Sequence, residues 1–269
     1  MNKIKVGGGG TLLSGFSKAI DRFINKNYNS IMRKYTFYEG FTLAEVLITL
    51  GIIGIVAALT IPALVANYEK KQTVTQLRKV YADLNNAVRL SEVDNGPMQT
   101  WEYPQIKITS YEDAVPFIQK YYLPYFKSAK LLKKTELEDY VIIPSMTEPD
   151  KNTGWVTNFM VLNNGVIFSF FFNVPSGYIW CLADINGTQK PNKVGRDIFV
   201  FDVYNWTGAV NGNGFRVKFW ANYFNDNEYY LRNYGQYACN EENTDIYARF
   251  YCGRLIELSG WTIPENYPW

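Results

Sequence analysis

Histidine is absent from all 269 residues, and that gap removes the most common routes to catalysis. Ser-His-Asp and Cys-His arrangements need an imidazole base, and ordinary zinc sites draw on imidazole ligands. No Gly-x-Ser-x-Gly elbow and no Gly-rich phosphate loop followed by Lys is present either. The adjacent acids Glu138-Asp139 and Glu241-Glu242 lie in polar segments, where solvated charge is the ordinary reading and glycosidase-type chemistry the exceptional one. We therefore expect no enzyme and no catalytic residue.

An excess of charge of one sign is also missing, with 27 Lys and Arg against 25 Asp and Glu. Nucleic-acid binding rests on many cations neutralising phosphates, so a nucleic-acid partner is not expected. Lys127, Lys130, Lys133 and Lys134 form one local basic cluster, which reads as the solvated face of a helix.

What the chain does have is a long uncharged run from Val46 to Ala66, preceded by Gly40-Phe41-Thr42-Leu43-Ala44-Glu45. Residues 41–66 number 26, about 39 Å of helix against a bilayer core of roughly 30 Å, so the segment can span a membrane. A plain anchor would explain the run but would favour an apolar residue at position 45. An isolated ionised side chain within hydrocarbon costs at least about 2.5 kcal/mol, which makes Glu45 a functional candidate in need of a partner.

The stretch from Gly40 to Ile48 resembles the processing and methylation site of type IV prepilins and type II secretion pseudopilins. Pro62 falls where helices of that family commonly carry a proline. The resemblance implies cleavage after Gly40 by prepilin peptidase, N-methylation of Phe41, and pairing of Glu45 with the terminal amine of a neighbouring subunit. It further implies other pilin or pseudopilin subunits, an inner-membrane assembly platform and its ATPase as partners. The long leader and Glu39, where a basic residue commonly precedes the glycine, depart from the family pattern.

Residues 1–40 carry seven basic and two acidic side chains, a net +5 that favours a cytoplasmic leader and export of the chain beyond about residue 66. The expected location is the bacterial inner membrane, crossed once, and then a fibre. Met32 offers an alternative start that would leave a short basic leader. Without the leader the charge falls to about −3, from 20 basic and 23 acidic residues.

Val74, Leu77, Tyr81, Leu84 and Val88 recur at spacings of three and four, which predicts one helix over about 42–93, kinked or loosened at Pro62 and ended by Asn95-Gly96-Pro97. Residues 67–93 form its amphipathic continuation, and 94–269 are long enough for one domain. Residues 113–134 read as partly helical, broken by Pro116 and Pro124. Apolar runs at 155–162, 166–172, 178–183, 198–204 and 215–220 read as strands, with Asn163-Asn164-Gly165 as a hairpin turn. The expected class is α+β, pilin-like, a long N-terminal helix packed on an antiparallel sheet.

The loop from Asp184 to Asp197 mixes oxygen-bearing side chains with turn residues. Asp184, Asn186 and Asp197 are a candidate calcium set, although the spacing fails the EF-hand pattern and an Asx-type turn is the simpler expectation. Three cysteines allow three single disulfides. Cys239–Cys252 is favoured because it closes a short loop, whereas Cys181 lies in an apolar run where burial is usual. Cys252-Gly253-Arg254-Leu255-Ile256 and the segment from Gly260 to Trp269 also resemble a bacterial subfamily of prepilin-like proteins. The expected function is a structural subunit, minor rather than major, of a type IV pilus or type II secretion pseudopilus. The alternative is a pilus-mounted surface protein that binds a glycan or a secreted substrate.

Overall fold

The computed structural model describes residues 18, 20–24, 40–104, 110–133, 136–137, 158–173, 178–205, 217–221, 227–245 and 247–269. The expectations placed on Met32, Glu39, Lys134, Glu138 and Asp139, and on most of the basic leader, fall outside them. The chain divides into two compact units, Met1–Ile61 and Pro62–Trp269.

The apolar run and its amphipathic continuation belong to one assigned helix, α1, Leu43–Asn95, 53 residues with Pro62 inside it. Up to Ile61 its side chains are exposed apart from the half-buried Ala57, and Leu59 is 76 % exposed. Among the described residues this is the one helix long and apolar enough to cross a membrane. Beyond Pro62 the pattern changes to a buried stripe of Val74, Leu77, Val80, Leu84, Ala87 and Val88. The end is sealed locally: Gly96 takes φ +79°, which glycine adopts without a Cβ penalty. Trp101 Nε1 donates to the Gly96 carbonyl at 2.9 Å.

Helix α2 spans Tyr111–Tyr121, opened by Ser110, whose hydroxyl accepts from Asp113 N–H at 3.2 Å. Pro116 does not break it, contrary to expectation; the helix accommodates the ring, and the chain turns only around Pro124. The lysine cluster is a second correction. Lys130–Lys133 is a strand, β1, with both lysines exposed and the two leucines half-buried. A Lys-Leu-Leu-Lys segment suits a sheet edge, where lysines discourage further pairing.

The remaining strands are β2 Asn158–Val161, β3 Ile167–Asn173, β4 Tyr178–Asp184, β5 Ile198–Asn205 and β6 Lys218–Phe219. They form one antiparallel meander in the order β1-β2-β3-β4-β5-β6. The Asn163-Asn164-Gly165 turn joins β2 to β3 as expected, with Leu162 N–H donating to the Val166 carbonyl at 2.9 Å. Two short helices come after the sheet, α3 Glu228–Asn233 and α4 Cys252–Leu258.

Both faces of the sheet are covered, which explains why β3 reads Ile-Phe-Ser-Phe-Phe-Phe instead of alternating with polar residues. On one face Phe168, Phe170 and Phe172 meet Phe126, Tyr122 and Phe117 at centroid distances of 5.5, 4.6 and 5.4 Å. Tyr81 of α1 stacks on Phe219 at 5.1 Å on that same side. On the other face Trp180 packs on Phe171, Trp220 and Phe250. The C-terminal segment thus supplies the second wall, and Trp261 reaches back to Tyr81 at 5.7 Å.

Candidate functional site

Around residue 40 the chain passes from non-helical backbone into α1. Gly40 has open space where a Cβ would stand, and Phe41 is 87 % exposed. Glu45 is less isolated than its composition suggests. Its Oε2 accepts from Thr42 N–H and from the Thr42 hydroxyl, each at 2.8 Å. In return the Thr42 hydroxyl oxygen accepts from Glu45 N–H at 3.2 Å. This is a reciprocal capping box, in which a Thr and a Glu three residues later satisfy each other's orphan N–H groups at a helix start. Thr42 carries no charge to mark it, but the Thr-x-x-Glu pattern announces it. The cap also gives Glu45 a structural reason to be acidic, independent of any neighbouring subunit.

The loop between β4 and β5 brings Asp184, Asn186 and Asp197 together, but as an Asx-type hub. Asn186 N–H donates to Asp184 Oδ1 at 3.2 Å, and Asn186 Nδ2 to Asp197 Oδ2 at 3.3 Å. Asp197 also accepts from Asn192 N–H at 2.8 Å and Lys193 N–H at 2.5 Å. Three donors therefore converge on the Asp197 carboxylate, which serves the loop's own N–H groups. Among the described residues no group of three or more His, Cys, Asp or Glu side chains gathers as a metal site. Burial pushes the Asp197 carboxyl above its ordinary range, against the pull of the N–H donors.

Cys239 and Cys252 form a disulfide with Cα atoms 5.0 Å apart, and Cys181 is free and buried in β4. The bridge ties the start of α4 to the preceding loop, beneath Gly195 (φ +83°), where a Cβ would lie 2.8 Å from Cys252 Sγ. Tyr267 hydroxyl donates to the Gly195 carbonyl, so loop, bridge and tail lock together. Glu241 and Glu242 are both exposed, as solvated charges are.

The chain is 36 % identical over 62 residues to prepilin peptidase-dependent protein D of Escherichia coli (strain K12). That alignment takes in 23 % of this chain and 42 % of the relative's length. No solved structure matches. A family model described as a family of unknown function (DUF6613) matches residues 63–269, taking in α1 beyond Pro62, the sheet and the covering C-terminal segment. The match extends over most of the chain, and the protein belongs to this family of unknown function, DUF6613.

Proposed function

We propose that the chain is a structural subunit of a type IV pilus or type II secretion pseudopilus, cut by prepilin peptidase after Gly40, N-methylated at Phe41 and assembled through its N-terminal helix. The observation that carries this reading is the accessible Gly40-Phe41 junction, set directly before a capped Glu45 on an uncovered apolar helix. The E. coli relative, whose name records dependence on prepilin peptidase, supports it. So does the α+β arrangement, in which a helix stripe packs on an antiparallel meander in the manner expected of a pilin-like domain.

In this reading Thr42 holds the Glu45 carboxylate before assembly, so the subunit enters the bilayer without a bare charge. Cleavage after Gly40 then creates an amine at Phe41, and the amine of an adjacent subunit replaces the Thr42 donors as the partner of Glu45. Opposite charges attract more strongly in hydrocarbon than in water, while each alone is costly, so the pair rewards one axial register.

N-terminal mass spectrometry of the membrane-associated protein tests the first step, and the expected terminus is methylated Phe41. The variant Glu45→Ala should be processed normally but should fail to enter fibres. An intact leader in peptidase-competent cells, or normal incorporation of Glu45→Ala, would overturn the proposal.

A further inference from the structure

A groove of about 360 Å³ lies between residues 69–76 of α1 and the β4–β5 loop, wholly within the unit Pro62–Trp269. Its volume is at the lower end of small-molecule sites. Five carboxamides line it: Gln72 and Gln76 from α1, Asn164 from the β2–β3 turn, and Asn186 and Gln189 from the loop. Gln72 and Gln76 stand four residues apart, which places them side by side on one helix face. Asn186 Oδ1 is buried without a hydrogen-bond partner, so its amide has unused capacity.

The remaining walls exclude other ligand classes. Apolar surface is confined to Ile185, Pro191 and Trp269, too little to hold a lipid or an aromatic ligand by burial. The lining sets Arg196 and Lys190 against Glu69 and Asp197, with Arg196 paired to Glu69 at 3.1 Å, so the groove carries no net positive charge and a phosphate gains little. No lining residue belongs to β1–β6, so an extended peptide finds no strand edge to pair with.

A carboxamide both donates and accepts, as a hydroxyl does, and it can engage two vicinal hydroxyls at once. Pro191 and Trp269 are the apolar surfaces beside these amides, the Trp269 ring carrying the Arg196 guanidinium 5.1 Å from its centroid, and a pyranose ring asks for little more than such limited C–H contact. We propose that this groove binds a neutral oligosaccharide, held by the Gln72, Gln76, Asn164, Asn186 and Gln189 carboxamides beside Trp269. The site goes beyond the fibre-subunit reading and does not depend on it.

The test is calorimetric titration of the full chain in phosphocholine nanodiscs. The probes are a panel of neutral di- and trisaccharides in gluco, galacto, manno and N-acetylated forms, with a uronate, inorganic phosphate and a tripeptide as competitors. At least one neutral saccharide should bind saturably. The double variant Gln72→Ala/Gln76→Ala should weaken that binding by about tenfold or more. It should melt with the parent, and Gln236→Ala, away from the groove, should bind as the parent does. Binding of none of the neutral saccharides at millimolar concentration would overturn the proposal. So would tighter binding of the uronate, phosphate or tripeptide, or a double variant that binds like the parent.

Discussion

Asp197 organises its loop through the acceptor oxygens of its carboxylate. Burial raises its carboxyl against the lowering pull of the three N–H groups that point at it. The acceptors are what matter, because Asn186, Asn192 and Lys193 would lose their partner together. Asp197→Ala should lower unfolding stability by about 2–4 kcal/mol in urea titration, and Asp197→Asn, which keeps one acceptor, by roughly half of that. At this scale the sequence was partly legible. An Asx-type turn is what Asp184 and Asn186 make, but nothing in the order of residues says that N–H donors from Asn186, Asn192 and Lys193 converge on the Asp197 carboxylate. Thr42 is the opposite case, since Thr-x-x-Glu before an apolar run is itself a helix-start signature.

Helix α1 carries two different surfaces, and substitutions should separate them. Leu84 is fully buried against the domain, so Leu84→Ala should cost about 2–5 kcal/mol of domain stability. Leu59 is uncovered, and Leu59→Ala should leave the domain's denaturant midpoint within about 0.5 kcal/mol of the parent. Urea denaturation of both variants, monitored by tryptophan fluorescence, compares them directly. The periodicity that predicted α1 survives because helix contacts recur at fixed spacing along one element. Strands β2 to β5 were legible for a related reason, since a doubly covered sheet leaves apolar runs. Strand β1 was not, because lysines three apart suit a helix face and a sheet edge equally. Helix α4 was also missed: its position depends on the bridge to Cys239 and on Gly253, where a Cβ would stand 2.3 Å from the Phe219 ring. Contacts of that kind join residues far apart in the chain and leave no local period.

The bridge between Cys239 and Cys252 fastens the covering C-terminal segment of the domain. In the chain-entropy account a loop of this size contributes about 3 kcal/mol, so reduction should lower the melting temperature by several degrees. Cys181 is inaccessible, and burial also pushes its thiol well above the ordinary range, away from the reactive thiolate. Alkylation without reductant should therefore fail on the native protein and label Cys181 alone after denaturation, as mapped by peptide mass spectrometry. The bridged pair was favoured from the sequence by loop length, whereas the segment it secures could not be read there. The placement of that segment has a consequence for biosynthesis. Trp180, which packs on Phe171, receives Phe250 from a part of the chain made after the sheet, so a ribosome or a translocation channel releases the sheet with one aromatic side still bare. Completion of the domain is timed by arrival of its tail, and a product interrupted before residue 247 would display to quality-control proteases the very surface that the finished protein hides.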